Sequence, residues 1–228
     1  HRRYSGISRW RWTPTAAGWN NGMLSTAAAS PDFYIVHNYY TAYQTNATAS
    51  EIVNTPVPVT QTMMDYVKQT IGSNGQTVKP VILGEWNIFS AGSKQAVSHI
   101  NGLHAVMVLG ESLKNKFGMT ARWDLANGWD NGNDHGMFNS GDEPDAVPKW
   151  NPRPAFYHMY FFQKFLGDRL VSSASTSPDL ISYASSFTSG ETAVALVNKG
   201  ADAKSVEIKF TNFKKGINFY WYTLTGGG

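Results

Sequence analysis

Cysteine is absent from the 228 residues, which excludes disulfides and thiolate metal sites without fixing a cellular compartment. Charge is sparse and nearly balanced, with 19 basic and 16 acidic residues leaving a formal charge of +3. Apart from Arg2, Arg3, Arg9 and Arg11 the cations are scattered, so the basic patch of a nucleic-acid binder is missing. No apolar run reaches the roughly 18 residues of a membrane span, and no apolar core follows the arginines of HRRYSGISRW as a signal peptide requires. These absences predict a water-soluble chain taken from a longer polypeptide, with neither nucleic acid nor membrane as partner. Internal repeats are also lacking. What is abundant is aromatic surface: 14% of the residues, eight of them Trp and eleven Tyr. In a chain of such low charge, rings either fill a core or form flat platforms for stacking.

Hydrophobic periodicity divides the chain. Residues 32–40 (DFYIVHNYY) read as a strand, followed by a Ser/Thr/Pro-rich loop to Val59. In residues 60–72, Met63, Met64, Val67 and Ile71 recur at helical spacing and Gly72 is a stop signal. KPVILGE is a continuous apolar strand of the kind parallel sheets bury on both faces. A second helix fits 93–116, GMTARWDL gives another short strand, and 126–151 is a long Gly/Asn/Asp/Pro loop. A helix opening with Pro154 runs through 153–167. After Asp168 only short strands follow, at 168–175, 179–187, 191–200, 205–213 and 217–228, as in an antiparallel sandwich. The expected organisation is α/β: residues 1–167 form βα units with parallel strands, and residues 168–228 form a β-sandwich.

In parallel α/β folds, reactive groups gather at the carboxyl ends of strands. The first such end offers His37, Asn38 and Tyr39, with His37 and Tyr39 two apart and therefore on one side. The second offers Glu85, followed by Trp86 and Asn87. The third offers Trp123 and Asp124, then Asn127 and Trp129. A carboxylate at the exit of an apolar strand is rarely idle, because it must be paired, hydrogen-bonded or working. Together with a histidine, a tyrosine and a tryptophan floor, Glu85 outlines a sugar site in which rings stack on pyranose faces and the carboxylate attacks the anomeric carbon. The plainer possibilities are a structural Glu85 capping the following helix or paired with Arg122, and His37 and Tyr39 as hydrogen-bonded core residues. Trp10, Trp12 and Trp19 line a subsite or merely pack, and Trp221 is expected in the core.

At a strand end, GEWN resembles the nucleophile motif of the retaining glycoside hydrolases of clan A, the (β/α)8-barrel enzymes that include agarases, porphyranases, cellulases, β-xylosidases and arabinofuranosidases. An His-x-Tyr pattern ending the preceding strand and a Trp platform ending the following one fit the same order, as does NPRPAFYHMYFFQKFLGDRLV leading into a sandwich. The nearest resemblance is to the agarase and porphyranase branch. It implies Glu85 as nucleophile, Tyr39 as the hydroxyl orienting it, His37 as a substrate contact and Trp123 as the platform; from their places at and after the strand ends, Asn38, Trp86, Asn127 and Trp129 are expected as further substrate contacts. It implies the C-terminal part of a (β/α)8 TIM barrel, about strands 6 to 8, then a β-sandwich accessory domain. It also implies a polysaccharide substrate and a bacterial enzyme that is secreted, periplasmic or at the cell surface.

One departure matters. Retaining hydrolysis needs a second carboxyl group roughly 5–5.5 Å from the nucleophile, and the family places it in an Asn-Glu pair that occurs nowhere in the sequence. The expected partner is therefore an N-terminal barrel half, from the same gene or a second chain. Two other readings remain: a carbohydrate-binding protein without catalysis, and an inverting enzyme drawing an acid from Asp124, Asp130, Asp134 or Glu143. No cofactor is implied. His99 and His104 lack carboxylates at ligand spacing, and Gly132 breaks the calcium-loop pattern of Asp130, Asn133 and Asp134, so no metal is assigned.

Overall fold

The computed structural model describes residues 14–27, 30–214 and 216–226; Arg2, Arg3, Arg9, Arg11, Trp10 and Trp12 lie outside them. The chain runs α1 (Pro14–Ala27), β1 (Tyr34–Tyr39), α2 (Ala49–Asn54), α3 (Pro56–Ser73), β2 (Val81–Asn87), α4 (His99–Lys114) and β3 (Met119–Arg122). Then come the two-residue strands β4 (Ala126–Asn127) and β5 (Phe138–Asn139), α5 (Pro154–Phe165), and β6 (Arg169–Val171), β7 (Leu180–Ser186) and β8 (Thr192–Asn198). The architecture is mixed α/β.

β1, β2 and β3 form a parallel sheet in that order, with helices in the crossovers. α3 carries Met63, Met64, Val67 and Ile71 on its buried stripe, as its spacing predicts. That stripe packs on Tyr34, Val81, Leu83, Trp86 and Ile88, the side of the sheet turned to the helices. α2 falls inside the segment expected to be loop. It is held by a capping box, in which the Glu51 amide donates to Thr48 Oγ1 and the Thr48 amide donates to Glu51 Oε2.

α4 is buried on two sides, which explains why apolar residues surround it rather than forming one stripe. Its second side shares a core with α5 and the antiparallel sheet β6–β7–β8, through Val106, Met107, Phe162, Tyr183 and Val197. Gly110 makes this approach possible, since a Cβ there would lie 2.2 Å from the Tyr183 ring. The Tyr183 hydroxyl donates to Glu111 Oε1 at 3.0 Å, within reach of the Met107 carbonyl at 3.2 Å. Tyr183→Phe removes a buried bond to a charged group, which is worth about 1.5–3 kcal/mol. Its melting temperature should fall by about 4–10 °C in differential scanning calorimetry.

The expected sandwich needs a correction. Residues 205–213 and 217–224 form no strand, although Val206, Ile208 and Phe210 alternate as a strand would. Trp221 is not core but 68% exposed, and Ile217, Phe219 and Tyr220 are more exposed still. Alternation makes a strand only where a neighbouring strand completes its ladder; among the described residues none pairs with these segments, and Tyr222 instead stacks on Phe165 of α5 at 4.4 Å between centroids.

Candidate active site

Two residues per pleat would set Ile82 on one face of β2, Leu83 on the other, and Glu85 with Leu83 against the helices. The pairing register avoids this. Val36 pairs with Leu83 but His37 pairs with Glu85, so Gly84 is an extra residue, a β-bulge. Beyond it Glu85 joins the face of Ile35, His37 and Tyr39, and Trp86 takes the helix side. Gly84 suits the bulge because a Cβ there would come within 2.7 Å of Ile35 Cγ2 and 3.2 Å of His37 Nε2.

Three of the expected residues come together on that face. The Tyr39 hydroxyl donates to Glu85 Oε1 at 2.7 Å, and His37 Nδ1 lies 3.6 Å from Oε2. Glu85 keeps 26% of its side chain exposed and His37 57%, so the carboxylate is held yet reachable. Tyr39 is fixed by stacking on Phe89 at 4.5 Å between ring centroids and by His135 at 5.4 Å. Burial first, then the bond to Glu85 and the charges of Glu85 and Asp124, push the Tyr39 phenol well above its usual range, so it remains a donor. Trp123, half exposed, follows the end of β3. Its backbone is tied to β2, since its amide donates to the Trp86 carbonyl at 3.0 Å and its carbonyl accepts from Asn87 Nδ2. The Trp123–Asp124 peptide bond is cis.

The other expected contacts are placed elsewhere. Trp86 is fully buried among the helices and donates through Nε1 to Thr120 Oγ1 at 3.2 Å, while Asn38, its partner in register, is buried on the same side. The correction follows from the pleat, because neighbours of His37 and Glu85 in sequence are on the opposite face in space. Asn127 is consumed structurally: its Oδ1 accepts from the Gly136 amide at 2.7 Å and from Arg153 Nη1 at 3.1 Å. Trp129 sits in the long loop with its amide bonded to Asp142 Oδ1 at 2.9 Å. Trp19, on α1, is 68% exposed.

Phe89 and His135 escaped the sequence reading, which placed Asn87 at the strand end without a role. Asn87 is fully buried and also donates to the His135 carbonyl at 3.2 Å, which pins the long loop against the strand ends. That carbonyl accepts from Arg122 Nη1 at 2.6 Å as well, so Arg122 serves the loop; among the described residues it makes no ion pair with Glu85. Burial pushes Arg122 down to about 10, partly offset by Asp124. The spacing of Asn87 and Phe89 from Glu85 was a usable signal, whereas His135 is brought in from 50 residues away by tertiary folding.

The Asp130–Asp134 loop satisfies itself: the two Asp134 oxygens accept from the Asp130 and Gly132 amides. Among the described residues no group of three or more His, Cys, Asp or Glu side chains is gathered as for a metal ion. Tyr39→Phe keeps the ring stack and removes one bond to a carboxylate, worth about 1.5–3 kcal/mol.

Fold and site define an α/β protein with its polar groups at the carboxyl ends of parallel strands, where such folds bind ligands. No protein-family model and no curated protein matches the sequence, but solved structures do. An α-L-arabinofuranosidase from Thermotoga maritima, in an arabinose complex, superposes with a TM-score of 0.58 at 20% identity, over 80% of this chain and 41% of that one. The GH51 arabinofuranosidase from Xanthomonas axonopodis pv. citri gives 0.55 at 16%, over 82% and 42%. A glucosidase from Croceicoccus marinus gives 0.58 at 11%, over 82% and 36%. The chain thus spans about two fifths of the length of the structures it matches. At these identities the likeness to these glycosidases is one of fold.

Proposed function

We propose that this chain supplies the nucleophile and aromatic floor of a retaining glycoside hydrolase. The observation that carries the reading is the bond from the Tyr39 hydroxyl to Glu85 at a parallel strand end, with His37 beside the second oxygen. Glu85 attacks the anomeric carbon, the leaving oxygen departs with a proton, and water releases the glycosyl-enzyme. A glutamate outside these 228 residues gives that proton and then activates the water.

In this reading β1–β3 are about the sixth to eighth strands of a (β/α)8 barrel, and β6–β8 begin an accessory sandwich. The face of the parallel sheet turned away from the helices supports it, because Phe33, Ile35 and Met119 stand 47–55% exposed there and parallel sheets are normally covered on both sides. A polypeptide carrying the remaining strands is the implied partner. The substrate is a polysaccharide, placing the enzyme in the periplasm, at the cell surface or outside a bacterial cell. The agar or porphyran choice rests on sequence resemblance alone.

The test is covalent trapping. Protein that turns over an aryl glycoside is incubated with the matching 2-deoxy-2-fluoroglycosyl fluoride and mapped by peptide mass spectrometry. The label is expected on the peptide containing Glu85; a label on any other carboxylate overturns the assignment. Native mass spectrometry of the same material should reveal a heavier chain or a second polypeptide.

One observation favours a second reading. Of the four loop carboxylates, Asp134 is used by backbone amides and Glu143 is paired with Arg153 at 3.1 Å, but Asp124 Oδ1 is buried without a partner and its charge acts on Tyr39. An inverting reaction through Asp124 would show by NMR as a first-formed product of opposite anomeric configuration. If no sugar is turned over while glycans still bind, the site is a carbohydrate-binding one.

A further inference from the structure

A second cluster lies between the amino-terminal turns of α4 and α5, away from the Glu85 face. Ser98, His99, Pro154, Tyr157 and His158 line a cavity of about 310 Å³, with residues 224–226 at its edge. The rings of His99 and His158 are 4.7 Å apart between centroids, at 59°. His158 Nδ1 is 2.7 Å from the Pro154 carbonyl. A carbonyl only accepts, so Nδ1 carries the proton, and in the neutral ring Nε2 is a bare lone pair. That nitrogen is buried and has no hydrogen-bond partner.

This is how a metal-binding histidine is prepared: the distal N–H is anchored on a carbonyl, fixing the tautomer and leaving the other nitrogen free. The helix is shaped around the ring as well. Gly102 sits inside α4, where glycine costs about 1 kcal/mol relative to alanine, and a Cβ there would lie 2.3 Å from His158 Nδ1. Both imidazoles are held neutral by burial, His158 pushed down to about 4. Two imidazoles on one ion, with bonds of about 2.0–2.1 Å, bring their ring centroids to about 4.5–5.5 Å, a range that includes the observed separation.

We propose that His99 and His158 form a two-histidine site for a borderline divalent transition-metal ion such as Zn²⁺, with water completing its coordination. Imidazole ligands favour such ions over Mg²⁺ or Ca²⁺. With two protein ligands the site is weak and open, expected in the micromolar range, and its effect is to clasp the first turn of α4 to α5. It stands independently of the glycosidase reading.

The experiment is titration of ZnCl₂ into untagged, EDTA-treated full chain by isothermal calorimetry, with MgCl₂ and CaCl₂ as controls. One Zn²⁺ per chain is expected, with the melting temperature raised by about 5 °C at a hundredfold excess over Kd. His99→Gln and His158→Gln should each weaken binding at least tenfold, whereas His37→Gln should not. Circular dichroism checks the fold of His158→Gln; should it fail, the more exposed His99→Gln decides the matter. Absence of saturable binding up to about 1 mM, binding unchanged in His99→Gln, or binding lost instead in His37→Gln overturns the proposal.

Discussion

Glu85→Gln should lower turnover by roughly 10⁴-fold or more in any preparation that cleaves a glycoside, because the amide keeps the shape of the side chain and loses the nucleophile. The melting temperature should change little. The side chain remains partly exposed and can still accept the Tyr39 bond through its amide oxygen, and it holds no part of the core. Activity and stability therefore separate: a large loss of kcat with an unmoved thermal transition is the expected pair. A smaller variant, Glu85→Gly, sharpens the result. If Glu85 is the nucleophile, azide should enter the vacated space and restore turnover on an activated aryl glycoside, giving a glycosyl azide of inverted configuration. Retention of more than about a tenth of wild-type turnover in Glu85→Gln would remove Glu85 from the mechanism.

The second large effect is acid sensitivity centred on His104. Its ring is fully buried beside Tyr40 at 4.9 Å and Trp86 at 6.3 Å, and neither nitrogen has a hydrogen-bond partner. Burial, with a lesser contribution from Arg122, pushes it down to about 3 from an ordinary 6.5. The unfolded chain takes up this proton near pH 6.5, whereas the folded chain refuses it until about pH 3. Between those limits the unfolded state holds one more proton, so stability is full above about pH 6.5 and falls with acidification by up to about 1.4 kcal/mol per pH unit. From pH 6.5 to 4.5 the loss is about 2–3 kcal/mol, or roughly 5–10 °C in melting temperature. His135, lowered chiefly by burial, acts in the same direction. Thermal melts of wild type and His104→Phe between pH 7 and 4.5 isolate the His104 share, since exposed carboxylates are common to both. The variant's profile should be the flatter; parallel profiles would assign the acid sensitivity to other groups.

Local signals carried the sequence a long way. The apolar run before Glu85, the i, i+2 pair His37 and Tyr39, and the helical spacing of Met63, Met64, Val67 and Ile71 all state local geometry, and the structure places those residues accordingly. The capping box of Thr48 and Glu51 was equally visible but lay in a stretch dominated by loop-forming residues. Trp86 and Asn38 adjoin Glu85 and His37 in sequence but stand on the opposite face of the sheet, because successive strand residues alternate sides. Asn127 looked available because nothing local shows that the Gly136 amide and Arg153 occupy it. The terminal segment misled differently: its alternation is real, but a strand is a property of two segments, and the second is not among the described residues.

The bulge at Gly84 has a consequence for how this protein can vary. Along β2 each residue's face is set by a count of two, so the single unpaired residue works like a frameshift: the strand before it is read in one phase and the strand after it in the other. Substitutions within β2 leave that phase alone. Pairing Gly84 regularly, with the bulge flattened, would not, because it would carry Glu85 into the helix-packed core and Trp86 out to the open face. A lineage that lost Gly84 altogether would restore the count of two, and its VILEWN strand would still hold the carboxylate on the open face and the ring in the core.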